Sequence, residues 1–367
     1  MKHNQAPKHN KAPPSTLGSL DRILDANLDR AREGLRVLED IARFALNDSR
    51  LSGRLKDMRH RLVLENGAVG LLGARDVEGD TGAFLNTEAE GRRAGLFSVL
   101  EANAKRTQES LRVLEEVGKL LPQEAPFKEM RFALYQVERE MASRLLRNEK
   151  AAAVRGLYVI IDGQALGGRT EVQVAQAAIS GGASVIQFRD KVREKGQVLP
   201  TVMALRDLCK KAGVIYLIND HVDLALAVGA DGVHVGQKDL PVPLARRLLP
   251  IDALVGCSTN NVEEALRAQE DGADYVAVGA LFPTSSKSDI RPASLRVLEA
   301  VRQATTLPIV AIGGINRDNA AEAVAAGADA VAVIGAVSAS PDPEAAARDL
   351  CNSLERGRTM GGGPVET

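Results

Sequence analysis

The stretch IYLINDHVDLALAVGADGVHVGQKDLP, residues 215–241, contains the pattern that decides the fold of the second half of the chain. An apolar run at 215–218 is followed by a polar turn, a helix-like segment at 222–228 and a second apolar run at 232–235. Short runs of Val, Ile and Leu that alternate with amphipathic helices are typical of a parallel sheet buried on both faces. The stretch therefore predicts two neighbouring parallel strands joined by a helix.

Further apolar runs after Gly156 repeat this pattern, each followed by a polar or Gly-rich turn and a helix-like segment. They lie at residues 157–161, 184–188, 253–255, 275–278, 309–312 and 330–334. Eight such units over about 200 residues fit a closed barrel. The predicted fold class is α/β, with a C-terminal (β/α)8 TIM barrel.

The first half of the chain has a purely helical period. Apolar residues between positions 20 and 147 recur at steps of three and four, with Arg and Glu between them. The segment LDANLDRAREGLRVLED from Leu24 is repeated as LEANAKRTQESLRVLEE from Leu100, and LKDMRHRL from Leu55 is repeated as FKEMRFAL from Phe127. The repeats predict an all-α N-terminal domain with an internal helix-pair duplication, in which each pair buries the apolar face of the other.

This change of period sets the predicted domain boundaries. We expect a flexible tail at 1–19, an all-helical domain at 20–150, the barrel at 151–356 and a second flexible tail at 357–367. The tails are rich in Gly, Pro and polar residues, which bury too little apolar surface to offset the entropy of ordering. The charged and Ala-rich segment 148–155 is the predicted linker.

Composition and charge exclude several functional classes. With 367 residues, 45% hydrophobic residues, 26% charged residues and a formal net charge of -1, the chain resembles an ordinary globular protein of two domains. The small net charge and the absence of Trp disfavour a nucleic-acid partner. Three widely spaced cysteines give no disulfide framework, and no apolar segment has the length of a signal peptide or membrane span. We expect a cytoplasmic protein with no membrane partner, and the sequence leaves a homo-oligomer open.

Polar side chains follow several predicted strands, at the barrel end that carries function in this fold. After the second strand, alternation places Gln187, Arg189 and Lys191 on one side, which suits either an anionic ligand or a basic surface patch. Asp220 and Asp239 follow the third and fourth strands on neighbouring loops. Two carboxylates so placed can hold Mg2+, which prefers oxygen ligands, and the alternative for Asp220 is a helix cap.

The later strands are followed by hydroxyls, one cation and glycines. Ser258 comes after the fifth strand, the Thr-Ser-Ser-Lys segment 284–287 after the sixth, the Gly pair 313–314 after the seventh and Gly335 after the eighth. Glycines after the last two strands let backbone N–H groups approach a phosphate. His234 lies inside a strand, where a hydrogen-bonded structural histidine is favoured over a catalytic base. Together the mouth predicts two phosphorylated ligands, one of them a diphosphate.

Several motifs in fixed order carry a resemblance to a known family. QFRDK, INDHVDLALAVGADGVHVGQKDLP, GCS, DYVAVGALFPTSSK, PIVAIGGI and AVAVIGAV occur in this order within residues 156–347. This half of the chain resembles thiamine phosphate synthase. The resemblance implies that 4-amino-5-hydroxymethyl-2-methylpyrimidine diphosphate is joined to 4-methyl-5-(2-hydroxyethyl)thiazole phosphate, giving thiamine phosphate and diphosphate.

The same resemblance implies roles for individual residues. Mg2+ is held by Asp220 and Asp239, and the catalytic cations are Arg189, Lys191 and Lys287. The pyrimidine diphosphate is held by Gln187, Phe188, Arg189, Asp190, Lys191, Asn219, Ser258 and Lys287. The thiazole phosphate is held by Thr284, Ser285, Ser286, Gly314, Ile334 and Gly335.

Three positions depart from the family pattern. The family is expected to have Thr where Ser286 stands, Ser where Gly335 stands and His two residues beyond Ser258, where this chain has Asn260. A related barrel, the thiazole tautomerase, uses a histidine in the loop after strand five, so Asn260 disfavours that alternative. The non-enzymatic alternative is a sensor of phosphorylated ligands built on an inactive barrel.

The helical half carries a second resemblance. Its segments GLRVLED, GARDVEGDTG and EANAKRTQESLRVLEE resemble a domain fused to thiamine phosphate synthases and associated with phosphorylating the pyrimidine monophosphate. That resemblance implies a kinase with ATP as a candidate phosphate donor, although the chain has no G-x-x-x-x-G-K-[ST] phosphate loop. A dimerisation or regulatory module is the alternative. The candidate site residues of this half are Asn27, Arg30, Arg75, Asp80, Asn103 and Arg106.

Overall fold

A computed structural model of the chain describes residues 16–62, 93–122, 125–284 and 291–360. These residues fall into two compact units that divide between Leu145 and Leu146. Five candidate site residues lie outside the described residues: Arg75, Asp80, Ser285, Ser286 and Lys287. Within the described ranges, no helix is long and apolar enough to cross a membrane.

The described residues of the first unit form three helices, one π-helical turn and the greater part of a fourth helix, whose last residues belong to the second unit. The helices are α1 (Thr16–Asp40), α2 (Ser49–Arg61), α3 (Leu96–Gly118) and α4 (Phe127–Ala152), with the π-helical turn at Ile41–Ala45. The predicted apolar stripe of α1 is buried, and its repeated counterpart on α3 is buried with it: Leu24, Leu28, Leu35 and Leu38 correspond to Leu100, Ala104, Leu111 and Leu114. The helical period of the sequence therefore indicated both the helices and the faces that they bury.

The duplication places small residues where α1 and α3 approach most closely. A Cβ atom on Gly34 would lie 2.1 Å from the Oγ1 atom of Thr107 and 3.1 Å from the carbonyl oxygen of Asn103. A side chain at this position would displace the Thr107 hydroxyl and crowd the backbone of α3, because real Cβ atoms do not approach neighbours that closely. The two repeats thus pack directly against each other.

The observed helix limits differ from the predicted boundaries at three places. The tail expected at 1–19 gives way to helix at Thr16, where the partly buried Leu20 packs against the helical core. The tail expected from residue 357 is helical to Met360, and Gly357 lies so close to the barrel that a Cβ there would be 2.6 Å from the carbonyl oxygen of Ala321. The linker expected at 148–155 is instead helical as far as Ala152. Close packing accompanies the first two of these extensions.

The second unit is a closed barrel of eight parallel strands in sequence order. The strands are β1 (Gly156–Asp162), β2 (Ala183–Arg189), β3 (Ile215–Asn219), β4 (Gly232–Val235), β5 (Leu254–Thr259), β6 (Tyr275–Val278), β7 (Ile309–Ile312) and β8 (Ala330–Val333). The intervening and following helices are α5 (Glu171–Ser180), α6 (Lys195–Ala212), α7 (Val222–Val228), α8 (Val242–Leu248), α9 (Val262–Glu270), α10 (Leu295–Ala304), α11 (Ala320–Ala325), α12 (Gly335–Ser338) and α13 (Pro343–Met360). The predicted (β/α)8 fold is confirmed.

Strand alternation divides the barrel residues into two buried layers. One layer packs inside the barrel and includes Tyr158, Val185 and Tyr275, whereas the other packs under the helices and includes Phe188 and Tyr216. Strand β5 is longer than expected, because residues 256–258, assigned to the following turn, remain in register with β6. This extension holds Ser258 on a strand and not on a loop.

Candidate active site

A cavity of about 700 Å³ opens at the carboxyl ends of the barrel strands. It brings together eleven residues that sequence reasoning selected: Gln187, Arg189, Lys191, Asn219, Asp220, Asp239, Ser258, Thr284, Gly314, Ile334 and Gly335. The members come from loops and strand ends that are far apart in sequence but meet at one barrel mouth. The cavity is therefore the candidate active site.

Two residues selected from the QFRDK motif, Phe188 and Asp190, do not line this cavity. Phe188 is buried in the layer between sheet and helices. Asp190 accepts hydrogen bonds of 2.8 Å from the backbone N–H groups of Val192 and Arg193, and so stabilises the turn after β2. The period of two along a strand turns both residues away from the side that carries Gln187 and Arg189. Their expected contact with the pyrimidine diphosphate is not supported by this geometry.

Arg189 has a guanidinium group that is held in place on one side. Its side chain is only 14% exposed and forms an ion pair with Asp162, the last residue of β1. The buried Nε atom of Arg189 makes no hydrogen bond within the part of the chain that the structure describes. A buried N–H of this kind is costly without a partner, and an anionic oxygen in the cavity would supply one. Sequence reasoning missed Asp162, although inspection of the residue after the first apolar run would have found it.

Asp220 and Asp239 form a close pair of carboxyl groups beside a lysine. Asp220 makes an ion pair with Lys191 and accepts a hydrogen bond of 2.6 Å from Nδ2 of Asn219. Burial, followed by the adjoining Asp239 carboxylate, raises the pKa of Asp220. Burial also acts to raise the pKa of Asp239, but hydrogen bonds from the Asp220 carboxyl and the Gly236 N–H lower it.

This pair fits a divalent cation. Two ionised carboxylates at hydrogen-bonding distance repel each other, and a cation between them relieves that repulsion. No group of three or more His, Cys, Asp or Glu side chains that could hold a metal ion occurs in the described ranges, at this pair or elsewhere. A Mg2+ ion held by only two carboxylates keeps other positions for water or phosphate oxygens, as this ion prefers.

The opposite side of the cavity is built from glycines. Gly313 has φ of 101° and Gly314 has φ of 65°, both in the left-handed region. A Cβ on Gly314 would come within 2.4 Å of the carbonyl oxygen of Pro283, just before Thr284. At Gly335, by contrast, a Cβ would meet nothing within 4 Å. The glycine pair is therefore required by the backbone, whereas Gly335 leaves open space.

Asn260 is a structural residue of the loop that follows β5. Its Nδ2 atom lies 3.1 Å from the carbonyl oxygen of Gly279 and 2.9 Å from that of Pro292, and its backbone N–H donates to Glu264 at 2.8 Å. An amide also has no basic nitrogen with which to move a proton. The structure therefore provides no base at the position where a tautomerase would need its histidine.

A chain of buried polar side chains runs inside the barrel below the cavity, and sequence reasoning missed most of it. Nε2 of Gln187 donates to the hydroxyl of Tyr158 at 2.8 Å, and the hydroxyls of Tyr158 and Tyr275 lie 3.1 Å apart. His234 lies 3.0 Å from the Tyr275 hydroxyl through Nδ1 and 2.9 Å from Oγ of Ser258 through Nε2. His234 is thus hydrogen-bonded, in agreement with its interpretation as a structural histidine. Alternation along β1 and β6 is a signal that could have placed the tyrosines inside the barrel, but it does not show that they meet across it.

The candidate residues of the helical half do not form a described site. Nδ2 of Asn27 donates to the carbonyl oxygen of Ile23 at 2.9 Å, and Nδ2 of Asn103 donates to that of Val99 at 2.8 Å. The two asparagines therefore make equivalent bonds within their own helices. Arg30 and Arg106 are exposed. A ligand-binding role for these residues stays a prediction.

Comparison with known proteins assigns the chain to a family. A curated relative named thiamine-phosphate synthase, from Thermosynechococcus vestitus (strain NIES-2133 / IAM M-273 / BP-1), is 42% identical over 352 residues, which cover 95% of this chain and 99% of the relative. The chain belongs to the thiamine-phosphate synthase family. Another relative of that name, from Synechococcus sp. (strain CC9311), is 41% identical and aligned over 91% of this chain and 96% of its own length.

The match extends to the barrel and to the helical half. The family model described as thiamine monophosphate synthase matches residues 157–337, and the model of the ThiD2 family matches residues 22–140. A solved thiamine phosphate pyrophosphorylase from Pyrococcus furiosus is 37% identical, with a TM-score of 0.53 over 56% of this chain and 98% of that chain. Membership of the thiamine-phosphate synthase family makes this chain a transferase of thiamine biosynthesis.

Proposed function

We propose that the barrel joins 4-amino-5-hydroxymethyl-2-methylpyrimidine diphosphate to 4-methyl-5-(2-hydroxyethyl)thiazole phosphate, forming thiamine phosphate and releasing diphosphate. The observation that carries this proposal is the division of one cavity into a side with cations and carboxylates and a side with glycines. Cations and a bound metal suit a diphosphate, whereas backbone N–H groups beside glycines suit a monophosphate. The proposed site lies in the cytoplasm, and its partners are these two small molecules.

On the cationic side, Arg189 and Lys191 bind the diphosphate together with Lys287, which follows Thr284 closely in sequence. The unsatisfied Nε atom of Arg189 supports this assignment. Asp220 and Asp239 hold Mg2+, which when bound supplies positive charge against the diphosphate leaving group. The pyrimidine ring contacts Gln187, Asn219 and Ser258.

On the glycine side, the thiazole phosphate binds to backbone N–H groups near Gly314, Ile334 and Gly335, and to the hydroxyl of Thr284. Ser285 and Ser286 join this set by sequence position. The low bulk of the glycines lets a phosphate lie against the backbone, where a Cβ atom at Gly314 would collide with the loop before Thr284.

The proposed reaction needs charge stabilisation more than acid–base catalysis. The bond between the pyrimidine methylene carbon and the diphosphate oxygen breaks, and its electron pair leaves with diphosphate. The lone pair of the thiazole nitrogen then forms the new bond to the same carbon, without a proton transfer. The cations assist by stabilising charge that grows on the leaving group, and the cavity assists by holding both reactants together.

A binding experiment tests this division of the cavity. In equilibrium titrations, Arg189→Gln is expected to weaken pyrimidine diphosphate binding by about 10-fold or more, because a charge-assisted hydrogen bond contributes about 1.5–3 kcal/mol. Thr284→Val, the matched change on the other side, is expected to weaken only thiazole phosphate binding. Equal losses for both ligands in both variants would contradict the proposed division.

We further propose that the helical half phosphorylates the pyrimidine monophosphate to the diphosphate that the barrel consumes, with ATP as the donor. The resemblance of its duplicated segments and the ThiD2 family match over residues 22–140 support the proposal. The competing proposal is a dimerisation or regulatory module. The two proposals differ in one measurable result, because only a kinase allows the purified chain to convert the monophosphate to the diphosphate.

A further inference from the structure

The buried chain below the cavity connects two proposed ring contacts, Gln187 and Ser258, that lie on strands β2 and β5. Between them stand Tyr158, Tyr275 and His234, and every link is within hydrogen-bond distance, from 2.8 to 3.1 Å. Tyr158 is 2% exposed, Tyr275 is fully buried and His234 is 9% exposed. These low exposures leave little room for water within the chain, although Tyr158 and His234 also line the floor of the cavity.

Tyr158, Tyr275 and neutral His234 each have one proton to donate, so the direction of one link restricts the direction of the next. A tyrosine hydroxyl has a single donor, and a neutral imidazole has one donor and one acceptor nitrogen. Burial raises the pKa of Tyr158 and Tyr275 far above the ordinary value, which keeps both hydroxyls protonated. Nε2 of Gln187 donates to the hydroxyl of Tyr158. In the arrangement that uses both hydroxyl protons within the chain, Tyr158 then donates to Tyr275, and Tyr275 donates to Nδ1 of His234.

The two ends of the chain consequently present opposite groups to the cavity. Because Nε2 of Gln187 donates to Tyr158, the amide oxygen of Gln187 is the acceptor that faces a ligand. With Nε2–H of His234 donating to Oγ of Ser258, the Ser258 hydroxyl proton is offered as a donor. Exchange of the two ends would require every link of the chain to reverse together.

We propose that Tyr158, Tyr275 and His234 are positioning residues that set Gln187 as an acceptor and Ser258 as a donor, and so select a ring bearing an amine and an unprotonated nitrogen. A 4-aminopyrimidine offers these groups, whereas its 4-oxo counterpart offers a carbonyl oxygen and a ring N–H, the reverse pattern. This inference rests on the proposed function of the barrel and adds a device for ring selection to it.

The competing explanation is that the two tyrosines only fill the barrel interior. Both explanations require the aromatic rings, but only the proposed device requires the hydroxyls. Tyr158→Phe and Tyr275→Phe remove the hydroxyls and keep the rings, so that Gln187 and Ser258 can orient independently. Tyr216→Phe is the matched control, because the Tyr216 hydroxyl is buried in the outer layer and makes no hydrogen bond to any described residue.

The test measures dissociation constants for the 4-amino diphosphate and for its 4-oxo analogue without thiazole phosphate, so that chemistry does not contribute. We expect the wild-type chain to prefer the amine by about 100-fold or more, since sites built for particular hydrogen bonds reject the unmatched analogue strongly. Tyr158→Phe and Tyr275→Phe should each reduce that preference by about 10-fold or more. Tyr216→Phe should preserve it, and all three variants should bind inorganic diphosphate as the wild type does.

The outcomes separate this inference from the proposed function. If the wild-type chain binds neither diphosphate, the proposed function fails. If it binds the amine but either folded Tyr→Phe variant keeps the full preference, the positioning device is overturned. A wild-type preference below about 3-fold also overturns the device, so the result does not depend on whether either variant folds.

Discussion

At the scale of single residues, the cavity combines groups that are held by the protein with groups that are left for a ligand. Asp162 holds one part of the Arg189 guanidinium while the buried Nε atom makes no bond within the described ranges. Lys191 and Asn219 hold Asp220. Because the Arg189 guanidinium and the Asp220 carboxyl are already held in place, binding a charged ligand costs less conformational free energy.

The carboxylate pair gives the first prediction. Asp220→Asn and Asp239→Asn should each lower the rate of coupling by about 100-fold or more, because the departing diphosphate loses the charge compensation of its metal. Activity should disappear in excess EDTA and return with added Mg2+. The measurement is the initial rate of thiamine phosphate formation, and near-normal turnover in EDTA would contradict the metal assignment.

Gly335 gives the second prediction, because it departs from the expected serine and borders open space. Gly335→Ser should lower the thiazole phosphate KM by about 2- to 10-fold, as one added hydrogen bond contributes about 0.5–1.5 kcal/mol. Gly314→Ser is the matched contrast and should impair binding, since its φ of 65° and the nearby Pro283 carbonyl oxygen exclude a side chain. An unchanged thiazole phosphate KM in Gly335→Ser would show that Gly335 does not border the thiazole phosphate.

At the scale of elements, the duplication of the helical half extends to its ion pairs. Nε of Arg59 on α2 lies 3.1 Å from Oε2 of Glu39 on α1, and Nε of Arg131 on α4 lies 3.1 Å from Oε2 of Glu115 on α3. In each copy the glutamate also pairs with an arginine three residues earlier, Arg36 or Arg112. The repeated unit is therefore a helix pair with an equivalent Arg–Glu contact in each copy.

This contact gives the third prediction. Arg59→Met should lower the free energy of unfolding of the helical half by about 1–3 kcal/mol, because it removes a charged partner from the buried Glu39 carboxylate. Arg61→Met is the control, since Arg61 is half exposed and lies 4.0 Å from the exposed Glu129. Urea unfolding followed by helical circular dichroism measures both, and equal effects would show that the contact between α1 and α2 contributes nothing particular.

Local sequence patterns were enough to predict the helices and strands of both halves. They were enough to predict only some of the residues that line the cavity. Alternation along β2 correctly put Gln187 and Arg189 on the cavity side, but the contiguous motif also brought in Phe188, which the same alternation turns outward. The contact of Tyr158 with Tyr275 joins β1 to β6. Strands that are not neighbours meet only when the barrel closes, so one-dimensional spacing carries no signal for such a pair.

At the scale of the whole molecule, the fourth prediction concerns the presence of both halves in one chain. Full-length protein should convert pyrimidine monophosphate, ATP and thiazole phosphate to thiamine phosphate, because linked consecutive activities raise the local concentration of the intermediate. Arg30→Ala combined with Arg106→Ala should impair the first step and spare coupling from the diphosphate. The paired change matters because one repeat could substitute for the other.

The control for this prediction is another duplicated pair of exposed cations, Lys56→Ala with Lys128→Ala, which should leave both steps unchanged. Phosphorylation is measured as formation of pyrimidine diphosphate in the absence of thiazole phosphate. Failure of the intact chain to form it would favour the dimerisation or regulatory module.

A coupling assay tests whether one cavity joins the two phosphorylated substrates. The purified full chain is incubated with pyrimidine diphosphate, thiazole phosphate and Mg2+, and both products are quantified over time. We predict equal molar amounts of thiamine phosphate and diphosphate. The Arg189→Gln chain should form both products more slowly than the wild-type chain. Release of diphosphate without thiamine phosphate, or no reaction with both substrates bound, would contradict the claim.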